Sequence, residues 1–399
     1  MYVSQLNNWR VVVKHINIFM NILLVIPSNT GTIASVSYNL YNALRKQPNL
    51  RVNVACLGKY EDDGYQFDNL FKLDKCGRGV IAKISSRILK LRKIKKENHI
   101  DISIATLLGA IYWNVLSGCG EKKIGVFHTR LSQQKYLGKL NYLIHLLADK
   151  LLVSKLTKMI AVNKSAYLDL KRLHNGSKRI ELVYNIHNFG EIQRLATKEI
   201  EDEKEKKLFD SGRVILYVGG LYCNVKGTDR LVKAFGKVLN QHNDYKLVFV
   251  GGDTDGSLPK LKDLVNKFCI SDSVYFIGRK SNPYQYMKRA EMLVSPSRDE
   301  GLPGVIIESL SLGTKVVATN STMGVWEIMQ CDNSYDENLR EVRKTEFGYI
   351  TPNILDDDNS TVNFLAQAID KCISEKFDII NVFDKKRFTE GQIITHYIK

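Results

Sequence analysis

The stretch SPSRDEGLPGVIIESLSLGTKVVATN, residues 295–320, holds the densest chemistry in the sequence. An apolar, β-type run ends near Ser297, a glycine-bearing loop follows, and Pro303 falls where a helix begins, a favoured first-turn position because proline lacks the N–H that the first turn leaves unpaired. The free amides around Leu302, Gly304 and Val305, aided by the helix dipole, would form an anion site suited to a diphosphate. Glu300 precedes this helix and Glu308 lies within it, a Glu-x7-Glu spacing. A carboxylate on the ligand side of the helix can accept both hydroxyls of a ribose. Two glutamates eight apart also describe a plain loop acid and a surface helix acid. The strand, the loop, Pro303 and the closing Gly313 weigh against that simpler pattern.

Other chemistry-bearing groups are weaker. Asp253 and Asp255 form an Asp-x-Asp, but in a polar turn without the setting of a metal site, and Asp356, Asp357 and Asp358 read as a solvated acidic turn. GCGEKKIG, from Gly118, lacks the strand-then-helix context of a dinucleotide fingerprint. The seven cysteines are odd in number and scattered, with no metal-ligand spacing, so no metal is expected and reduced cytosolic thiols are. In RGVIAKISSRILKLRKIKKE, residues 78–97, Ile81, Ile84, Ile88, Leu91 and Ile94 recur at helical spacing beside Arg87, Lys90, Arg92, Lys93, Lys95 and Lys96. Either the basic face of a core-packed helix is solvated, or the helix lies on anionic lipid, where each basic residue is worth about 1 kcal/mol.

The elements that must position these groups are βα units. Short β-rich runs at 22–26, 52–57, 100–105, 124–128, 158–162 and 180–183 alternate with amphipathic stretches. A second set lies at 214–218, 246–250, 274–277, 292–295 and 315–318. A charged segment at 191–212, including EIEDEKEKK from Glu199, separates them as a solvated helix or linker. The expected organisation is a Rossmann-like domain at 20–190, the linker, a second Rossmann-like domain at 213–375, and a terminal segment at 376–399. Ligands of parallel sheets sit beyond the carboxyl ends of strands, so two facing sheets place the chemistry in the cleft between them.

The chain has 399 residues, 44% hydrophobic and 25% charged, ordinary for a globular protein and excluding disorder and small disulfide scaffolds. Its net charge of +16 is uneven: residues 1–190 hold 29 Lys/Arg against 11 Asp/Glu, residues 191–399 hold 29 against 31. The first half is therefore expected to meet an anionic surface. No RNP, KH, zinc-finger or helix-turn-helix pattern accompanies that charge, so nucleic acid is not the expected partner. No apolar run approaches the ~20 residues of a membrane span. Polar interruptions at Arg10, Lys14, His15 and Asn17 argue against a signal peptide, and Met20 is read as the start, with residues 1–19 an extension without structural role.

Residues 295–320 resemble the signature of the retaining GT-B glycosyltransferases of family 4, the glycosyl transferases group 1 domain. YVGGLYCNVKGTDRLVKAF from Tyr217, KLVFVGGDTDG from Lys246 and VYFIGRKSNPYQYMKRAEMLVSPS from Val274 resemble the segments that precede that signature, in the same order. KMIAVNKSAYLDLKRL and KRIELVYN, from Lys158 and Lys178, resemble the end of the family's first domain. RFTEGQIITHYIK, from Arg387, resembles its final helix, which crosses back to that domain. The resemblance implies two doubly wound α/β domains facing a central cleft and transfer of a sugar, with retained configuration, from a UDP- or GDP-type donor to a saccharide or lipid-linked acceptor in bacterial surface polysaccharide biosynthesis.

By the same resemblance Lys226 contacts the donor diphosphate, Gly31 and Thr32 belong to the loop approaching donor phosphate and acceptor, and His128 lines the cleft near the donor sugar. Glu300 lies near the sugar hydroxyls and Asn185 shapes the interdomain turn. Front-face attack is expected, since no dedicated nucleophile is evident. No metal or other cofactor is required, because Lys226 and the helix dipole stabilise the leaving diphosphate. One departure stands out: Gly220 replaces the arginine usual in the motif, which leaves either Arg279 or another basic residue to substitute or a different donor geometry. That departure motivates the alternative of a catalytically impaired nucleotide-sugar-binding module. The expected location is cytoplasmic, with peripheral contact at the inner membrane face.

Overall fold

A computed structural model describes residues 19–58, 60–73, 80–130, 147–210, 212–329 and 335–398. The first sheet comprises β1 (Met20–Ile26), β2 (Leu50–Cys56), β3 (Leu70–Lys72), β4 (Ile102–Thr106), β5 (Lys122–Phe127), β6 (Lys158–Ala161) and β7 (Ile180–Leu182). The second comprises β8 (Val214–Val218), β9 (Lys246–Val250), β10 (Val274–Phe276), β11 (Met292–Ser295), β12 (Lys315–Thr319), β13 (Arg343–Thr345) and β14 (Gly348–Thr351). The strand orders are β3-β2-β1-β4-β5-β6-β7 and β10-β9-β8-β11-β12-β14-β13. Every pairing is parallel except β13 with β14. Central strands read as continuous apolar runs because helices cover both faces: all five residues of β4 are buried, as are Ile22 to Ile26 of β1.

Each sheet reverses its winding beside its first strand. β2 lies on one side of β1 and β4 on the other; β9 and β11 flank β8 in the same way. Such a switch point splays the loops on either side apart and opens a crevice at the strand ends. The loops after β1, β8 and β11 therefore carry the candidate residues for a structural reason. The hydrophobic core runs from the first sheet through Ile186 and Ile192 into the second, and so continues across the connection between domains.

Several expectations change. β3, β13 and β14 were not legible as strands: β3 and β13 have three residues each at sheet edges with no fully buried position, and β14 has only four. The segment 191–212 is not merely solvated. Within the helix Glu203–Asp210, Glu205 and Phe209 are buried, and Glu205 accepts hydrogen bonds from Tyr286 Oη at 2.6 Å and Lys280 Nζ at 2.5 Å. The terminal segment crosses back to the first domain, but as separate short helices, Ile379–Val382, Glu390–Ile393 and Thr395–Ile398, rather than one. It is tied there by Lys46 to Glu390 at 2.9 Å, and by Lys158 Nζ donating to the His396 carbonyl at 2.9 Å. The proposed extension lies outside the described residues except for Phe19, whose ring sits under the Arg51 guanidinium.

The basic helix forms as Val80–Glu97, with Arg78 outside the described residues, and its charges do not all face solvent. Lys95 is fully buried and donates to Glu121 Oε1 at 2.6 Å and to the Asn114 carbonyl at 2.7 Å. Ser103 Oγ and the Cys119 amide satisfy the remaining valences of Glu121. Arg87 donates to the Leu57 carbonyl and Arg92 to that of Leu116. Conversely Ile84, expected inside, is 41% exposed. Because Lys95 and Glu121 have left water together, removing one strands the other. Lys95→Ala should lower unfolding free energy by about 3–5 kcal/mol, whereas Lys95→Met with Glu121→Gln should recover most of it, as read by urea denaturation.

Candidate active site

The loop after β8 is shaped by Tyr217, whose hydroxyl donates to the Gly220 carbonyl at 2.6 Å. The chain then forms a single turn, Cys223–Lys226, and Gly227 leaves it with φ +63°, in the left-handed region. This delivers Lys226 to the carboxyl end of β11, where its Nζ lies 2.7 Å from Glu300 Oε1. Ser297 Oγ donates to the same oxygen at 2.7 Å. The base of the β11 loop is anchored from beneath. Arg298 pairs with Asp229 at 3.1 Å and Asp358 at 2.7 Å, and the fully buried Arg230 also holds Asp358.

Around this pair opens a cavity of about 550 Å³, within the range of roughly 300–1,000 Å³ usual for ligand sites. The first domain contributes Thr30, Gly31, Thr32 and Glu61 to its walls. The second contributes Gly220, Tyr222, Lys226, Arg279, Glu300, Leu302, Pro303, Gly304 and Val305, among others. No side chain caps the helix Gly304–Ser311, so its first amides and dipole remain available at the wall. Pro303 occupies the N-cap with φ −72° and ψ 97°, one residue before the expected first helical position.

Eight of the ten residues expected at the site thus line one cavity, namely Gly31, Thr32, Gly220, Lys226, Glu300, Leu302, Pro303 and Gly304. Glu308 and His128 do not appear in that lining. Glu308 stands one helical turn behind it, 19% exposed, its Oε1 3.8 Å from His187 Nδ1. Desolvation raises its pKa to about 8. His128 is 7% exposed with no partner for Nε2, and burial lowers its pKa to about 4, so its imidazole is neutral. What meets the second domain is its backbone. A Cβ at Gly301 would lie 2.4 Å from the His128 carbonyl oxygen, so only glycine permits this approach.

The arginine position has a steric explanation. A Cβ at Gly220 would sit 2.5 Å from the Tyr222 ring, whose hydroxyl hydrogen-bonds Thr254 at 2.5 Å. A larger residue at 220 would have to displace that ring. Arg279 is exposed on the cavity wall. Asp253 and Asp255 both accept from the Ser257 amide and so begin a helix, Ser257–Lys267. Among the described residues no cluster of three or more His, Cys, Asp or Glu is placed to hold a metal ion.

Sequence reasoning missed a latch between the domains. Glu327 accepts from the Lys164 amide at 2.8 Å and from Tyr184 Oη at 2.8 Å. Arg387 donates to the Glu327 carbonyl at 3.0 Å and to Tyr184 Oη at 3.2 Å. The neighbouring Asn185, read as an interdomain turn, was the only available signal. Asn185 and His187 are both buried in that connection.

Two facing doubly wound sheets with a cleft between strand ends are the GT-B architecture, and glycosyltransferases are among the proteins similar to this chain. Residues 212–343 match the family model described as glycosyl transferases group 1. An uncharacterized glycosyltransferase of Methanocaldococcus jannaschii is 29% identical over 182 residues, 45% of this chain and 43% of that protein. This chain therefore spans less than half the length of that relative. An uncharacterized glycosyltransferase of Haemophilus influenzae is 27% identical over 305 residues, 76% of this chain and 80% of the other. The lipopolysaccharide outer core galactosyltransferase WaaB, in its apo form, superposes with a TM-score of 0.67 at 15% identity, covering 95% of this chain and 98% of that one. Anabaena HepE in complex with UDP and glucose gives 0.62 at 15% identity, covering 94% and 98%.

The desolvated Glu308 makes a pH prediction. Its folded pKa is raised to about 8 from the ordinary 4.5, so the neutral acid is the favoured form. The associated stability is complete below about pH 4.5 and is lost as pH rises through about 8. Glu308→Gln should therefore raise Tm by several degrees at pH 9, with the advantage shrinking toward pH 5, in calorimetric scans without ligand.

Proposed function

We propose that the protein is a retaining glycosyltransferase using a UDP- or GDP-sugar, with a saccharide or lipid-linked acceptor of surface polysaccharide synthesis. The observation that carries this reading is the Lys226–Glu300 pair beside an uncapped helix N-terminus in a cavity shared by both domains. The HepE complex with UDP and glucose, and WaaB's part in the lipopolysaccharide outer core, support the donor and acceptor classes.

On donor binding the diphosphate takes Lys226 as its counter-ion, and Glu300 is released to the sugar hydroxyls. Glu308 accepts the ribose hydroxyls from within the helix. The bond between the anomeric carbon and the β-phosphate oxygen breaks, and its electrons pass to the diphosphate. Lys226 and the helix amides offset that charge in a site sheltered from water. The acceptor oxygen attacks from the same face and gives its proton to the departing phosphate oxygen. The charge is carried by this chain's own groups, without a required metal. His128 serves from the opposite domain by holding the Gly301 turn.

A second reading, a nucleotide-sugar-binding module with impaired turnover, is favoured by the packing of Tyr222 against Gly220. A panel of UDP- and GDP-sugars separates the two: release of UDP or GDP supports the enzyme, and binding without release supports the module. Lys226→Ala should lower kcat at least about 100-fold, the size of effect expected when a charge-stabilising group is removed. Failure of the wild type to bind any nucleotide would sink both readings.

We also propose peripheral membrane contact through the exposed Leu89, Lys90, Lys93 and Lys96 of the helix Val80–Glu97. Among the described residues no helix is long and apolar enough to cross a membrane. Anionic liposomes should float the protein at low salt and release it at high salt; absence of flotation under both conditions removes the contact.

A further inference from the structure

His187 has no role in the reading above, yet its place is unusual. It lies in the connection between β7 and the helix Phe189–Ala196, where the chain passes between domains. It is 6% exposed, and neither ring nitrogen has a hydrogen-bond partner. A buried neutral imidazole with both nitrogens unsatisfied is costly, by about 1–3 kcal/mol per group. A group left in this way calls for an explanation, and a state of the protein that satisfies it is one.

Its neighbours identify that state. His187 Nδ1 is 3.8 Å from Glu308 Oε1, too long for a hydrogen bond, and no described group donates one to the Glu308 carboxylate. The ring is fixed on its other sides. Its backbone amide donates to the Phe388 carbonyl at 2.8 Å, its ring stacks on Phe189 at 6.0 Å, and it meets Phe388 edge-on at 6.3 Å. Toward the helix, a Cβ at Gly304 would lie 3.2 Å from His187 Cε1, so the glycine leaves the ring space beside the first turn. A separate cavity of about 220 Å³, whose lining includes Asn42, Lys46, His187 and Glu390, gives it room to shift. A movement of about 1 Å is all that the missing bond requires.

We infer that His187 is the positioning residue for Glu308: when a nucleoside diphosphate enters, Nδ1–H donates to a carboxyl oxygen of Glu308 and orients the group toward the ribose hydroxyls. This rests on the proposed donor site and adds to it a residue at the domain connection. Since a neutral imidazole carries one N–H, the proton sits on Nδ1 in this state.

The experiment is calorimetric titration of the full chain with UDP, GDP and the 2′,3′-dideoxy form of each. The wild type should prefer the ribose form of its nucleotide by about tenfold, the upper value of a net hydrogen bond. His187→Phe keeps a ring but no nitrogen, and should reduce that preference to within about twofold while dideoxy binding stays unchanged. His187→Asn, with an amide nitrogen near the Nδ1 position, should restore most of it. His187→Leu is a second nitrogen-free variant should the Phe ring prevent folding. A nitrogen-free variant that keeps the wild-type preference overturns the inference alone, leaving the donor site intact. Loss of affinity for ribose and dideoxy forms equally also overturns it, as the mark of a merely structural role. A wild type without ribose preference removes the role of Glu308, and one that binds neither nucleotide removes the proposed function; the inference falls with either.

Discussion

The peptide from Ser297 to Gly304 is held between two bodies that both need its backbone. On one side the His128 carbonyl presses so near Gly301 that a Cβ would lie 2.4 Å away. On another, a Cβ at Gly324 would lie 2.4 Å from the Gly301 carbonyl oxygen. Beneath it, Arg298 is fastened to Asp229 and Asp358, and Asn353 donates to its carbonyl at 2.9 Å. A loop confined in this way cannot drift, and a site built on it is pre-organised. The direction of the Gly304–Ser311 helix, the reach of Glu300 and the separation of the two domains at the cleft all follow from where this peptide is pinned.

Charge in the cleft follows a similar logic. Without a ligand, an ammonium at the carboxyl end of a parallel sheet needs a counter-ion, and Glu300 supplies it at 2.7 Å. Lys226 is 27% exposed and Glu300 13%, so the pair is partly desolvated and stronger than a surface salt bridge, but not sealed from solvent. An anion entering the cavity must match this contact before it gains from it, which favours ligands carrying more than one negative charge. Arg298 and Arg230, by contrast, are committed to acids beneath the loop. Their charge sets the loop's position and is not available to a ligand.

The legible part of the molecule was the part governed by local composition. Central parallel strands announce themselves as apolar runs because both faces are buried, and β8, β9 and β11 begin and end where the sequence pattern does. The glycine and proline chemistry around Gly301, Pro303 and Gly304 was legible for the same reason. What could not be read depends on neighbours far away in the chain. Lys95 belongs to a basic run by sequence, and only Glu121, 26 residues on, makes it a core residue. β13 and β14 are too short for periodicity to register. Glu327 and Arg387 are ordinary polar residues until Tyr184 lies between them, and His187 is one histidine among eight until Glu308 is brought within 3.8 Å.

These distant contacts are not spread evenly over the interface. Glu327, Tyr184 and Arg387 join a helix of the second domain, the turn after β7 and the returning terminus in one cluster. Asn39 donates to the Ile186 carbonyl at 3.0 Å and the His187 amide to Phe388, so the connection itself is also bonded to both sides. At the cleft, the described residues of the first domain that reach the cavity wall are Thr30, Gly31, Thr32 and Glu61. The polar contacts between the domains are thus gathered at the connection, and the cavity opens on the side away from them. His187 lies among those contacts, 3.8 Å from Glu308, so the ring and the carboxyl it faces are held at the firmly bonded side of the interface rather than at the open cleft.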